Sequence, residues 1–147
     1  MKIQGVGHVV LKVRDLDRSR RFYTGVLGLK EVGQFPGRMV FFSATGANHH
    51  DLAVLAVGPE AATPAPEAVG LAHVALKIGD SLDDLREARA LLEAHAIPIR
   101  GIRDHTVSQS LYLEDPDGNA VELFVDADPA IWAADPGTVA TTKPLAL

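Results

Sequence analysis

The segment His8-Val9-Val10-Leu11-Lys12-Val13 returns as His73-Val74-Ala75-Leu76-Lys77-Ile78 at an offset of 65 residues, and at the same offset Asp80 falls on Asp15 and Leu92 on Leu27. Self-similarity at such a period marks a supersecondary unit made twice, so the fold has to be one that two copies of a module build together. In the first copy, residues 7–13 are β-branched and nearly continuous in apolar character, as a strand buried on much of both faces would be. Asp15 or Asp17 then offers an N-cap. Leu16, Ser19, Phe22, Tyr23, Val26 and Leu27 recur at three- and four-residue spacing, with Arg18, Arg20 and Arg21 mostly between them, which predicts an amphipathic helix that Gly28 ends. Three short strands are expected over residues 29–33, 38–44 and 51–57, parted by the turn formers Phe35-Pro36-Gly37 and Thr45-Gly46-Ala47-Asn48.

The second copy follows the same plan. A helix is expected from Ser81 through Leu82, Leu85, Ala88, Leu91 and Leu92 to His95, then strands near 97–102, 108–113 and 120–125, the last two joined by the turn Asp115-Pro116-Asp117-Gly118-Asn119. Between the copies, residues 58–70 hold Pro59, Pro64 and Pro66 and no hydrophobic period, as a linker does. The expected organisation is one domain over 1–147: a βαβββ module at 3–57, the linker at 58–70, a second module at 71–126 and a tail at 127–147 docked through Ile131 and Trp132. The fold class is α+β, with the two modules forming a mixed, partly closed sheet around a site.

Composition removes several classes of function. The 147 residues carry 14 basic and 19 acidic side chains, a net charge of −5, so the chain has no general phosphate-binding footprint and nucleic acid is not expected as a partner. The absence of cysteine removes disulfides, thiolate metal sites and a cysteine nucleophile together, so any metal site must use nitrogen and oxygen. No apolar run is long enough to span a bilayer and the first residues lack a signal-peptide core, which makes a cytoplasmic protein without a membrane partner the expectation.

The chemistry-bearing residues gather at the ends of the repeated strands. His8 and His73 hold the same register in the two copies, and a repeat related by a twofold axis would aim them at one place. Aligning Asp51-Leu52-Ala53-Val54 with Glu122-Leu123-Phe124-Val125 makes Asp51 and Glu122 corresponding acids. An ionised Glu122 in a strand as apolar as Ala120-Val121-Glu122-Leu123-Phe124 costs several kcal/mol unless paired or bound to a cation. A lone histidine on an apolar strand is ordinarily a satisfied core residue, and it is the repetition in register, with Glu122, that argues for ligands. Two histidines and a carboxylate suit iron(II) oxygenase chemistry, while three or four such ligands also suit zinc, nickel or manganese. His49 and His50 precede the Asp51 strand, Tyr112 lies ten residues before Glu122, and His105 sits in the loop before the Tyr112 strand; loop or surface roles are the bland alternatives for His49, His105 and His95, and a half-buried sheet aromatic for Tyr112.

With these residues in hand, the chain resembles the vicinal oxygen chelate superfamily of glyoxalases, bleomycin-resistance proteins and type I extradiol dioxygenases, over about residues 3 to 126. The resemblance is carried by Gly7-His8-Val9-Val10-Leu11, by Phe22-Tyr23 with Leu27-Gly28-Leu29, and by His49-His50-Asp51-Leu52-Ala53. Ala72-His73, the run Ser110-Leu111-Tyr112 through Asp115-Pro116-Asp117-Gly118-Asn119, Val121-Glu122-Leu123 and the tail Asp126-Ala127-Asp128-Pro129-Ala130-Ile131-Trp132 complete it. Within the superfamily the likeness is to a single catalytic module of the catechol extradiol dioxygenases.

The resemblance implies that His8, His73 and Glu122 ligate iron(II), with Mn, Zn or Ni as the other metals the set would take. It implies that His50 is the active-site acid and base, that Tyr112 contacts the substrate, and that His105 belongs to the substrate loop. The implied partners are a small aromatic diol and O2, and the additional amino-terminal module of many relatives implies a homodimer here. Two other functions stay in view. A glyoxalase-like isomerase would use a nonredox divalent metal with Asp51 as a fourth ligand. A metal-free drug-binding protein would leave His8, His73 and Glu122 without a purpose.

Overall fold

A computed structural model describes residues 1–147, and the chain divides into two compact units. The first comprises Met1–Ala68 with Asp115–Gly118, the second Val69–Glu114 with Asn119–Leu147. Each holds one mixed sheet, and neither sheet closes into a barrel. No helix is long and apolar enough to cross a membrane.

In the first unit, β1 (Val9–Val13) is followed by a helix, β2 (Lys30–Phe35), β3 (Met39–Ser43) and β4 (Leu52–Ala56), in the sheet order β1-β4-β3-β2. The first and last strands pair in parallel, Val9 with Leu52 through Val13 with Ala56, and the other neighbours are antiparallel. The β1 sequence suggested burial on both faces. Instead its side chains alternate, Leu11 and Val13 buried and Val10 and Lys12 exposed, as on a strand at the edge of its sheet, whereas Leu52, Ala53 and Val54 on the neighbouring β4 are all buried.

The helix α1 (Leu16–Arg20) is capped by Asp15, whose carboxylate accepts from the Arg18 N–H at 2.9 Å. It then widens into a π-helical stretch over Arg21–Val26, with the Leu27 N–H reaching the Phe22 carbonyl at 3.0 Å. The adjacent residues Phe22 and Tyr23 on this stretch are both buried. Gly28 leaves the helix at φ +74°.

The turn Asp115–Gly118 belongs to this unit through buried polar contacts. Tyr23, fully buried, donates its hydroxyl to Asp115 Oδ2 at 2.9 Å, and Arg14 and Arg18 reach Asp117 Oδ1 at 3.0 and 2.6 Å. Burial first, and the Asp115 charge second, push the Tyr23 phenol far above its ordinary range, so it stays a donor at any working pH. Arg14 also donates to the Ala61 carbonyl at 2.7 Å and the Thr63 hydroxyl at 2.6 Å, which ties down the proline-rich segment that has no hydrophobic period of its own.

The second unit runs β5 (Val74–Gly79), α2 (Leu82–Ala94), β6 (Gly101–Asp104), β7 (Ser108–Glu114), β8 (Ala120–Asp126), α3 (Ala130–Ala134), a 3-10 turn over Pro136–Ala140 and β9 (Lys143–Pro144). Its sheet order is β5-β8-β7-β6-β9, again with a parallel pair of first and fourth strands, Val74 opposite Val121. Ser81 caps α2 in a capping box with Asp84. The Asp84 carboxylate lies where a Cβ on Gly79 would sit, so this chain reversal requires glycine. Leu85 and Leu92, one face of α2, are buried to 0 and 1%.

The tail differs from expectation. Trp132 is 51% exposed, and the attachment is made instead by β9, which pairs with the edge strand β6 at Arg103–Pro144 and Asp104–Lys143. A two-residue strand containing proline carries no alternation, so sequence pattern could not announce it.

Tyr23→Phe keeps the packing and removes one donor from a buried carboxylate. It should lower unfolding free energy by about 1.5–3 kcal/mol in urea titration, the range for hydrogen bonds to charged groups. A loss below about 0.5 kcal/mol would show that this bond does not hold the turn.

Candidate active site

Strand periodicity builds the cluster of the second unit. Tyr112 on β7 lies directly opposite Glu122 on β8, and Ser110, two residues before Tyr112, shares its face. Glu122 is 7% exposed. Its Oε1 accepts from the Ser110 hydroxyl at 2.5 Å and its Oε2 lies 2.9 Å from His73 Nε2, the ring placed one residue before β5. The carboxylate expected to need a partner has these two. Ser110 was not singled out by sequence reasoning, although its i, i+2 spacing from Tyr112 is the signal that would have found it.

Tyr112 stands edge-on to His73, ring centroids 5.8 Å apart, and its hydroxyl lies 2.9 Å from His105 Nε2. Burial first and the Glu122 charge second push the phenol up to about 12, so Tyr112 keeps its proton at neutral pH. His105 opens the corner between β6 and β7, where Thr106 sits at φ +70°. A β-branched residue in that region is strained by roughly 1–3 kcal/mol.

The first unit holds a separate group of imidazoles. His8 precedes β1 and His50 precedes Asp51 and β4; the parallel pairing, extended by the Val9 N–H to the Asp51 carbonyl at 3.1 Å, brings them together with ring centroids 4.2 Å apart. His49 joins them: its Nδ1 is 2.6 Å from His50 Nδ1, so one ring donates to the other. Partial burial first, then the neighbouring His8 and His49, hold His50 below the ordinary imidazole range, so it is a neutral proton acceptor near pH 7.

Asp51 is engaged elsewhere. Its Oδ2 accepts from the Ala44 N–H at 2.7 Å and the Ser43 hydroxyl at 3.1 Å, and its Oδ1 from Asn48 at 2.9 Å, closing the β3–β4 loop. Its correspondence with Glu122 is corrected by register. Val9 and Val74 are repeat equivalents, and they pair with Leu52 and Val121; the counterpart of Glu122 is therefore the buried Ala53, and that of Asp51 is Ala120. By the same logic Tyr112 corresponds to Phe41, opposite Ala53.

Neither unit by itself gathers three histidine, aspartate or glutamate side chains able to hold a metal ion. The structure pairs His73 with Glu122 in the second unit and His8 with His49 and His50 in the first.

The family model described as the Glyoxalase/Bleomycin resistance protein/Dioxygenase superfamily matches residues 5–123. The Catechol-2,3-dioxygenase of Bacillus subtilis (strain 168) is 37% identical over 131 residues, covering 88% of this chain and 44% of that protein. The Biphenyl-2,3-diol 1,2-dioxygenase 3 of Rhodococcus globerulus is 34% identical over 126 residues, covering 82% of this chain and 63% of that protein. The chain thus spans about half the length of these curated relatives. Among solved structures, a lactoylglutathione lyase from Agrobacterium tumefaciens matches with a TM-score of 0.66 and 28% identity, over 85% of this chain and 96% of that one.

The Asp51 carboxyl is held below its ordinary value by the Ala44 N–H first and Asn48 second. A folded-state value below the unfolded 3.8 means stabilisation that is complete above that pH and lost as pH falls through the folded value. Asp51→Asn should therefore melt about 2–4 °C below wild type at pH 6, with the gap narrowing as pH falls below 3.8 in thermal scans. A gap unchanged at pH 3 would contradict the charged-acceptor role.

Proposed function

The chain belongs to the glyoxalase/bleomycin resistance protein/dioxygenase superfamily, known as the vicinal oxygen chelate superfamily, and on that premise we propose that it is an extradiol dioxygenase opening a catechol-type ring with O2. The ligands of its iron(II) would be His8, His73 and Glu122. The observation that carries this reading is the buried Glu122 carboxylate facing His73 Nε2 at 2.9 Å, beside a protonated tyrosine hydrogen-bonded to His105. The donor set fits the metal. Two imidazoles and a carboxylate are what iron(II) oxygenases use, and the His73–Glu122 pair already sits where a cation would offset a desolvated negative charge. When bound, the metal would supply open coordination positions for the diol and dioxygen and the redox chemistry that joins them.

The remaining work falls to the chain's own residues. Ser110 holds one oxygen of Glu122 and so fixes the direction of the other. His50, neutral near pH 7, takes a proton from the incoming diol and returns it as the ring opens. Tyr112, protonated over the same range, is a hydrogen-bonding contact for the substrate oxygens, and His105 is its partner. A homodimer is part of the proposal.

The likeness to a lactoylglutathione lyase favours a second reading, metal-dependent isomerisation with Asp51 as a fourth ligand. Three donors on the Asp51 oxygens weigh against that ligand.

Protein loaded with iron(II) without air and then given a catechol and O2 should form a yellow ring-opened product. His50→Gln should keep the iron and bind the catechol while turnover falls roughly 10²- to 10⁴-fold, the range for a general acid–base group. Tyr112→Phe should lose less, about 1–3 kcal/mol of hydrogen bonding. Equal rates in wild type and His50→Gln would remove His50 from the mechanism, and isomerisation of a hemithioacetal without catechol cleavage would install the second reading.

A further inference from the structure

The tail beyond β8 meets the candidate site at Thr141. Its carbonyl oxygen lies 3.1 Å from His105 Nδ1, and a carbonyl only accepts, so that nitrogen carries a hydrogen. A neutral imidazole has a single N–H, which leaves Nε2 as a lone-pair acceptor 2.9 Å from the Tyr112 hydroxyl. The Tyr112 hydroxyl can then donate to His105 Nε2, with the Glu122 carboxylate as its other acceptor.

Several contacts hold Thr141 in place. Its hydroxyl lies 2.8 Å from the carbonyls of His105 and Thr138 and 2.7 Å from the Thr106 hydroxyl. Two residues on, β9 pairs with β6, Lys143 lies 3.3 Å from Asp104, and the Leu145 N–H reaches the Ile102 carbonyl at 3.4 Å. Arg89 on α2 donates to the Leu147 carbonyl at 3.0 Å.

The β6–β7 corner itself is unusual. In the first unit the β2–β3 corner takes its positive φ at Gly37, +68°, where glycine is at ease; the second takes its own at Thr106, held by the Asp104 carboxylate on its N–H at 2.7 Å. A β-branched residue in that conformation, next to His105, places local backbone strain at this corner. The first unit has nothing comparable, and every residue of β2 is exposed.

We propose that the tail is a latch in which Thr141 is a positioning residue: it fixes His105 as the Nδ1–H tautomer and so keeps Nε2 a lone-pair acceptor for the Tyr112 hydroxyl, which orients Tyr112 toward the oxygens of the bound diol. Only the last clause rests on the dioxygenase reading. The tautomer is a property of the chain alone.

The test uses Thr141→Val, which keeps the shape and removes the anchoring hydroxyl, with Thr141→Ser as rescue. Histidine 15N-labelled, metal-free full-length protein at pH 8, where imidazoles are ordinarily neutral, reports each ring's tautomer by NMR. Wild type and Thr141→Ser should show His105 as Nδ1–H, and Thr141→Val a mixture with Nε2–H at an unchanged far-ultraviolet spectrum. Nε2–H in the wild type, or an unaltered tautomer in a folded Thr141→Val, would overturn the latch. If Thr141→Val does not fold, Thr141→Ala is read in the same way against the serine rescue. On the iron-loaded enzyme, Thr141→Val should lower catechol turnover about 2- to 10-fold, the loss of one neutral hydrogen bond. A wild type that shows the tautomer but cleaves no catechol leaves the latch standing and removes the dioxygenase reading.

Discussion

A carboxylate in the middle of a buried strand is the constraint around which the second unit is organised. Glu122 has Val121 and Leu123 beside it, both buried, and an unpaired charge in such surroundings would cost several kcal/mol. The sheet meets that cost locally, with Ser110 and Tyr112 on one face of β7 and His73 at the head of β5. Each of these side chains is where it is because of strand register. Shifting β7 by one residue would turn Ser110 and Tyr112 to the other face and leave the charge with His73 alone.

Duplication supplies the scaffold twice but the buried carboxylate once. Both units pair their first and last strands in parallel, and both set a histidine just before the first of them. At the position of Glu122 the first unit has Ala53, and at that of Tyr112 it has Phe41. An apolar pair in one copy and a carboxylate–phenol pair in the other is how a repeated module keeps a core in both halves and a charge in only one.

The order of elements was legible because the offset of 65 residues fixes the second copy once the first is read, and because Asp15 and Ser81 cap as their residue types suggest. The π-helical stretch was not, since apolar residues at three- and four-residue spacing suit either geometry. Asp51 was matched to the wrong residue because sequence alone cannot tell where two copies of unequal length absorb the difference, and only hydrogen-bond register decides. His8, His73, Glu122, His50, Tyr112 and His105 were visible as residue types at strand ends. Their immediate partners Ser110 and Thr141 were not, being ordinary polar residues whose role depends on which face or loop they occupy.

The ligand set proposed for iron(II), His8, His73 and Glu122, is the central claim. Anaerobic titration of the full chain with iron(II), read as bound ion per chain, tests this most directly when wild type is compared with His8→Ala and His73→Ala. The account predicts one ion per chain in wild type and loss of stoichiometric binding in each variant, with both variants folded. Full occupancy in His8→Ala would contradict it, because the histidine of the first unit would then hold no metal.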